Sequence, residues 1–106
     1  MDDSNKLAIQ LWAIGDEVRL RILSNLPYSE NCKSRNNVTE LSSILGIPQP
    51  TISHHLRVLR QAGIVKKSKT CRDCYYWIDS KEGFSILERL KNIVTHEVEL
   101  SSNSKD

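Results

Sequence analysis

The chain has 106 residues, 39% hydrophobic and 26% charged, enough for one modest core and too few for two domains. Its apolar runs are far shorter than a membrane span, its acidic, polar N-terminus does not read as a signal peptide, and three cysteines do not make a disulfide scaffold, so reduced thiols in a cytoplasm are expected. The formal net charge of +2 is unevenly placed: no Asp or Glu lies between Leu41 and Arg72, where Arg57, Arg60, Lys66, Lys67, Lys69 and Arg72 sit, and the rest of the chain carries a net of about −4. One cationic region on an otherwise acidic chain suits a polyanion-binding face.

Residues 5–14 place Leu7, Leu11 and Ile14 on one helical stripe, flanked by Ala8 and Trp12. Gly15 interrupts, and Asp16 is a good N-cap for a second helix with Val18, Ile22, Leu23 and Leu26 inward, widened by Leu20 and ended by Pro27. The aperiodic stretch YSENCKSRNN reads as a loop, followed by a short strand contact at Val38. Thr39 is the expected N-cap of the next helix and Gly46 its stop. The helix over 49–62 buries Ile52, Leu56 and Leu59, tolerates Pro50 in its first turn, and closes at Gly63. Two short helices around a tight glycine link form a helix-turn-helix pattern. IVKKSK and CYYWI then read as the strands of a hairpin, with Cys74, Tyr76 and Ile78 on one face and Tyr75 and Trp77 on the other. Apolar residues at 84, 87, 90, 94 and 98, widened by Ile86, Ile93 and Leu100, predict a long final helix before a frayed tail.

The expected fold is therefore mainly α with a small β-hairpin: a winged helix-turn-helix forming a single domain over 1–106, with a structured core at about 5–100. The first and last helices carry more apolar surface than such a core needs, and a copy of the same chain is the simplest way to bury it. A symmetric homodimer through Leu7, Leu11, Trp12, Leu87, Leu90 and Val94 is expected.

The outer side of the fourth helix displays Gln49, Thr51, Ser53, His54 and Arg57. Gln pairs with adenine, Arg with guanine, and Ser or Thr with base edges or phosphates. Arg60, Lys66 and Lys67 are phosphate candidates, and Arg72 at the hairpin tip suits a minor groove or a phosphate. His54 points outward. His55, about 100° further round the helix, points to the core edge and reads as a structural histidine.

The stretches GDEVRLRILSNL, VTELSSILGIPQPTISHHLRVLRQAGIVKK and CRDCYYWI together resemble the ArsR/SmtB family of winged-helix repressors, over about residues 5–100. The resemblance implies a cytoplasmic homodimer that binds palindromic double-stranded operator DNA and releases it when a metal, metalloid or oxidant reaches a sensor site. This chain departs from the family's usual sensors. NNVTELSSIL lacks the Cys-x-Cys pair of many arsenic and cadmium sensors, and the last helix has His96, Glu97 and Glu99 but no early Asp-x-His pair. Instead Cys71 falls where the family's wing has glycine, and Cys74 where it has a β-branched residue.

Cys71 and Cys74, with Cys32 as a third thiol, form the metal-site expectation. Two thiolates suit a monosubstituted arsenical, three suit trivalent arsenic or antimony, and a closed zinc site needs four ligands. No cofactor is required by the pattern. Redox or reactive-sulfur switching, and a constitutive regulator with packed thiols, are the alternatives. A winged helix used for protein or RNA contact is the reading from a different class. No nucleophile–base spacing, phosphate loop or paired carboxylates suggest an enzyme.

Overall fold

The computed structural model describes residues 3–29, 36–70 and 73–96. In chain order it contains α1 (Asp3–Ile14), α2 (Glu17–Ser24), α3 (Val38–Leu45), α4 (Gln49–Gln61), β1 (Val65–Thr70), β2 (Asp73–Ile78) and α5 (Ser80–Thr95). Helices α2, α3 and α4 pack together, α1 bridges α4 and α5, and the antiparallel hairpin follows α4.

Local chemistry sets the boundaries. The Asp16 carboxylate accepts the Val18 and Arg19 amides at 3.0 and 3.2 Å, capping α2 as expected. The cap of α3 is Asn37, not Thr39: its Oδ1 accepts the Glu40 amide at 2.8 Å, so Val38 opens the helix instead of making a strand contact. Asn caps at least as well as Thr, and it stands one residue ahead of the first helical position. The strand-like contact is made two residues earlier than Val38. Asn36 accepts the Tyr76 amide at 3.0 Å on its carbonyl and donates from Nδ2 to the Tyr76 carbonyl at 2.7 Å. Gly46 ends α3 in the left-handed conformation at φ 68°, which an L side chain adopts only with strain. Asp79 accepts the Glu82 amide and starts α5 four residues before the apolar repeat begins. The α5 helix ends at Thr95, with His96 left-handed at φ 50°; the expected continuation through Val98 and Leu100 lies outside the described residues.

The core gathers a residue or more from every element, including Leu7 and Ala13 from α1, Ile22 from α2, Leu41 from α3, Val65 and Tyr76 from the hairpin, and Ile86 from α5. At its centre Ile52, Leu56 and Leu59 of α4 have no exposed surface. Leu7, expected at a subunit interface, is instead buried in this core, and Leu11 is half-buried against it. Both face inward because α1 lies across α4 and α5. Leu20 is 50% exposed and does not widen the inward stripe of α2. No helix among the described residues is long and apolar enough to cross a membrane.

Candidate nucleic-acid interface

The burial of Ile52, Leu56 and Leu59 fixes the rotation of α4 about its axis, because residues three and four apart share a face. His54 and Arg57 lie on the opposite side and are exposed; Thr51, exposed, and Ser53, half-buried, flank the buried stripe, while Gln49 and Arg60 stand beside it near the two ends of the helix and are exposed. Pro48 is the N-cap of α4 and supplies no side-chain cap; its carbonyl accepts the Thr51 and Ile52 amides, both at 3.1 Å.

The chain then turns at Gly63, which is left-handed at φ 82°, and enters β1. Lys66, Lys67 and Lys69 are all exposed there. Arg60, Lys66 and Lys67 line one shallow hollow between the end of α4 and the hairpin, together with Trp77, Asp79 and Glu82. Lys66 lies 3.5 Å from the Asp79 carboxylate. Arg72 lies outside the described residues.

The two histidines have different surroundings. His54 is exposed. His55 places Nδ1 3.1 Å from Arg19 Nη1 and 4.0 Å from the Asp16 carboxylate, as a structural histidine at the core edge does. A guanidinium only donates, so Nδ1 of His55 is the acceptor. Burial lowers the pKa of His55; Asp16 works against that shift, while Arg19 and His54 add to it. Arg19 itself is buried: Nε donates to the Ala13 carbonyl at 2.6 Å, and the guanidinium lies 5.0 Å from the centroid of the Trp12 ring.

Of the expected thiol ligands, Cys32 and Cys71 lie outside the described residues. Cys74 carries a free thiol, half-buried against the core. Among the described residues no group of three His, Cys, Asp or Glu is placed to hold a metal ion. Pro27 and Asn36, which precede and follow Cys32 in sequence, are both tied to the hairpin. The Pro27 carbonyl accepts the Ile78 amide at 2.8 Å, and Asn36 bonds Tyr76.

Sequence reasoning missed three buried polar side chains among the described residues, Asn36 in the stretch read as a loop and Gln10 and Arg19 on helices. Gln10 and Arg19 sit on the inward faces of their helices, three positions from a core residue, Leu7 and Ile22 respectively. A polar residue inside an apolar stripe was the available signal.

Comparison with known proteins agrees with this geometry. The family model described as "Bacterial regulatory protein, arsR family" matches residues 16–67. An HTH-type transcriptional regulator of Methanocaldococcus jannaschii is 36% identical over 94 residues, covering 89% of this chain and 93% of that protein. The transcriptional repressor SmtB homolog of Synechocystis is 32% identical over 76 residues, 72% of this chain; the match spans only 54% of that relative's length. The structure of HlyU from Vibrio cholerae superimposes with a TM-score of 0.66 at 32% identity, covering 90% of this chain and 99% of HlyU. This chain belongs to the arsR family of bacterial regulatory proteins.

Proposed function

We propose that the protein is a homodimeric transcriptional repressor that reads palindromic duplex DNA with α4 and grips the backbone with the residues around β1. The observation that carries this reading is the fixed rotation of α4, which buries three aliphatic side chains, turns His54 and Arg57 to the opposite side, and leaves Thr51 and Ser53 on its flanks with Gln49 exposed at the helix start. These side chains supply donors and acceptors for base edges, while Arg60, Lys66, Lys67 and Arg72 supply phosphate contacts. Two copies would set their α4 helices about 34 Å apart, in successive major grooves. The dimer surface is drawn from Ile9, Trp12, Phe84, Leu87, Ile93 and Val94, all more than half exposed, with Leu90 at its edge; Leu7 and Leu11 serve the protomer core instead. Among the named relatives SmtB is a repressor and HlyU an activator, so the sign of regulation is read by transcription from the bound promoter.

The test is fluorescence-anisotropy titration of the protein's own promoter duplex across a salt series. Steeply salt-dependent, sequence-selective binding is expected from counterion release at several phosphates. Arg57→Ala is expected to relax sequence preference, and Lys67→Ala to weaken all duplexes alike. Equal affinity for operator and scrambled duplex would redirect the reading to a protein- or RNA-contact module.

The finer reading is release by a thiol-reactive metalloid or metal, arsenic or antimony in preference to zinc, at Cys71 and Cys74 with Cys32 as a third thiol. It is supported by the two bonds that tie Pro27 and Asn36, on either side of Cys32, to the strand that carries Cys74. The contact of Cys74 with the core favours the alternative of a constitutive regulator with a packing thiol. The double variant Cys71→Ser/Cys74→Ser separates them. Intact DNA binding with lost release by a trivalent arsenical supports the sensor; release unchanged from wild type supports the packing role.

A further inference from the structure

Gln10 is 1% exposed, and its amide is fully engaged across three helices. Both amide protons are used: Nε2 donates to the Ala62 carbonyl at 3.2 Å and to the Glu82 carboxylate at 2.6 Å. Oε1 accepts from Arg89 Nη2 at 3.0 Å. Turning the amide over would set its oxygen against two acceptors and its nitrogen against a guanidinium, so one orientation is fixed. Arg89 in turn lies 3.5 Å from Glu82 and 3.4 Å from Asp3, and Lys6 lies 3.6 Å from Glu82.

The position of the partners gives the network its meaning. Ala62 is the C-cap of α4. Glu82 and Arg89 lie on α5, and Gln10 on α1, next to the exposed Ile9 and two residues from the exposed Trp12. One side chain therefore ties the two helices with unpartnered apolar surface to the end of the helix that carries the DNA-facing row. We infer that Gln10 is a positioning residue for operator recognition: it holds the C-terminal end of α4 at a fixed setting relative to the α1–α5 layer. In a dimer that setting determines the separation and tilt of the two α4 helices. Nonspecific phosphate contacts tolerate an error in tilt better than paired base-edge contacts do.

The inference rests on the DNA-binding reading above, and the experiment keeps the two apart. Wild type, Gln10→Met and Arg89→Met are titrated with operator and with scrambled duplex of equal length, alongside Ile22→Val as a core variant outside the network. Met keeps the volume of Gln and removes its hydrogen bonds. For Gln10→Met the operator-to-scrambled affinity ratio is expected to fall about tenfold, equivalent to ~1.4 kcal/mol, with scrambled-duplex affinity and dimer dissociation constant unchanged. Arg89→Met, which removes the support of Oε1 together with the ion pairs to Glu82 and Asp3 but leaves both Nε2 bonds of Gln10 in place, shows a smaller fall and keeps the test available if Gln10→Met does not fold. Ile22→Val keeps the wild-type ratio. A ratio unchanged in both network variants, or lowered equally by Ile22→Val, overturns the positioning role. A wild type that does not discriminate operator from scrambled duplex overturns the underlying DNA reading instead.

Discussion

His55 Nδ1 lies 3.1 Å from Arg19 Nη1, a contact in which the ring nitrogen accepts and which therefore favours the neutral ring with its proton on Nε2. Burial is the main cause of its lowered pKa. A histidine whose folded pKa lies below its ordinary value stabilises the fold fully above that ordinary value, near 6.5, and the contribution is lost as pH falls through the folded pKa. The Asp16 carboxylate is also lowered, chiefly by the Arg19 backbone amide, and its contribution is lost only on further descent through the carboxylate range. The two effects are separated in pH. Urea midpoints measured from about pH 8 down to about pH 5 are expected to fall in the wild type and to stay flatter in His55→Gln, whose amide oxygen can accept from Arg19 without titrating. Parallel curves for the two proteins would show that His55 does not carry the dependence.

At the scale of elements, the αL glycine between α3 and α4 sets the geometry of the helix-turn-helix. A Cβ at Gly46 would meet nothing within 4 Å, yet φ is +68°. The cost of Gly46→Ala is thus conformational and not steric, about 1 kcal/mol, read as a lowered urea midpoint with unchanged slope. Helix α4 was legible in sequence because its three inward aliphatics recur at helical spacing and a glycine marks each end. The hairpin was legible from its alternation, with β1 starting one residue later than expected at Val65 and β2 one residue earlier at Asp73. The start of α3 was misplaced because Asn37 and Thr39 are both good caps, and only the backbone shows which one stands in extended conformation. Gln10 escaped because its partners lie 52, 72 and 79 residues away, and no local pattern encodes a satisfied buried amide.

Over the whole molecule, Phe84, Leu87 and Val94 of α5 are 73, 63 and 65% exposed, and Trp12 of α1 is 64% exposed. Side chains of this size gathered on two helices, outside a core that is already filled, point to association. Leu87→Glu tests it without touching the protomer core. The two-fold pair of substituted sites is expected to cost about 3–6 kcal/mol of association free energy, seen in sedimentation as a shift from dimer to monomer. Operator affinity falls with it, since a monomer contacts a single half-site. A dimer undiminished by the substitution would move the interface off α5.

The bonds from Tyr76 and Ile78 to Asn36 and Pro27 also make the outer edge of the hairpin a convenient splice point. Pro27 and Asn36 meet the strand at amides two residues apart, so the expected cost of added length between these anchors is that of loop closure, about 0.6 kcal/mol for each doubling. A reporter peptide or a fluorophore-bearing insert placed after Ser29 is expected to leave the melting temperature within a few degrees of wild type, whereas the same insert after Ser68 interrupts the β1–β2 register and unfolds the wing. Such a graft would put an optical probe beside the strand that carries Cys74, and so report on that strand in living cells without altering any side chain of α4.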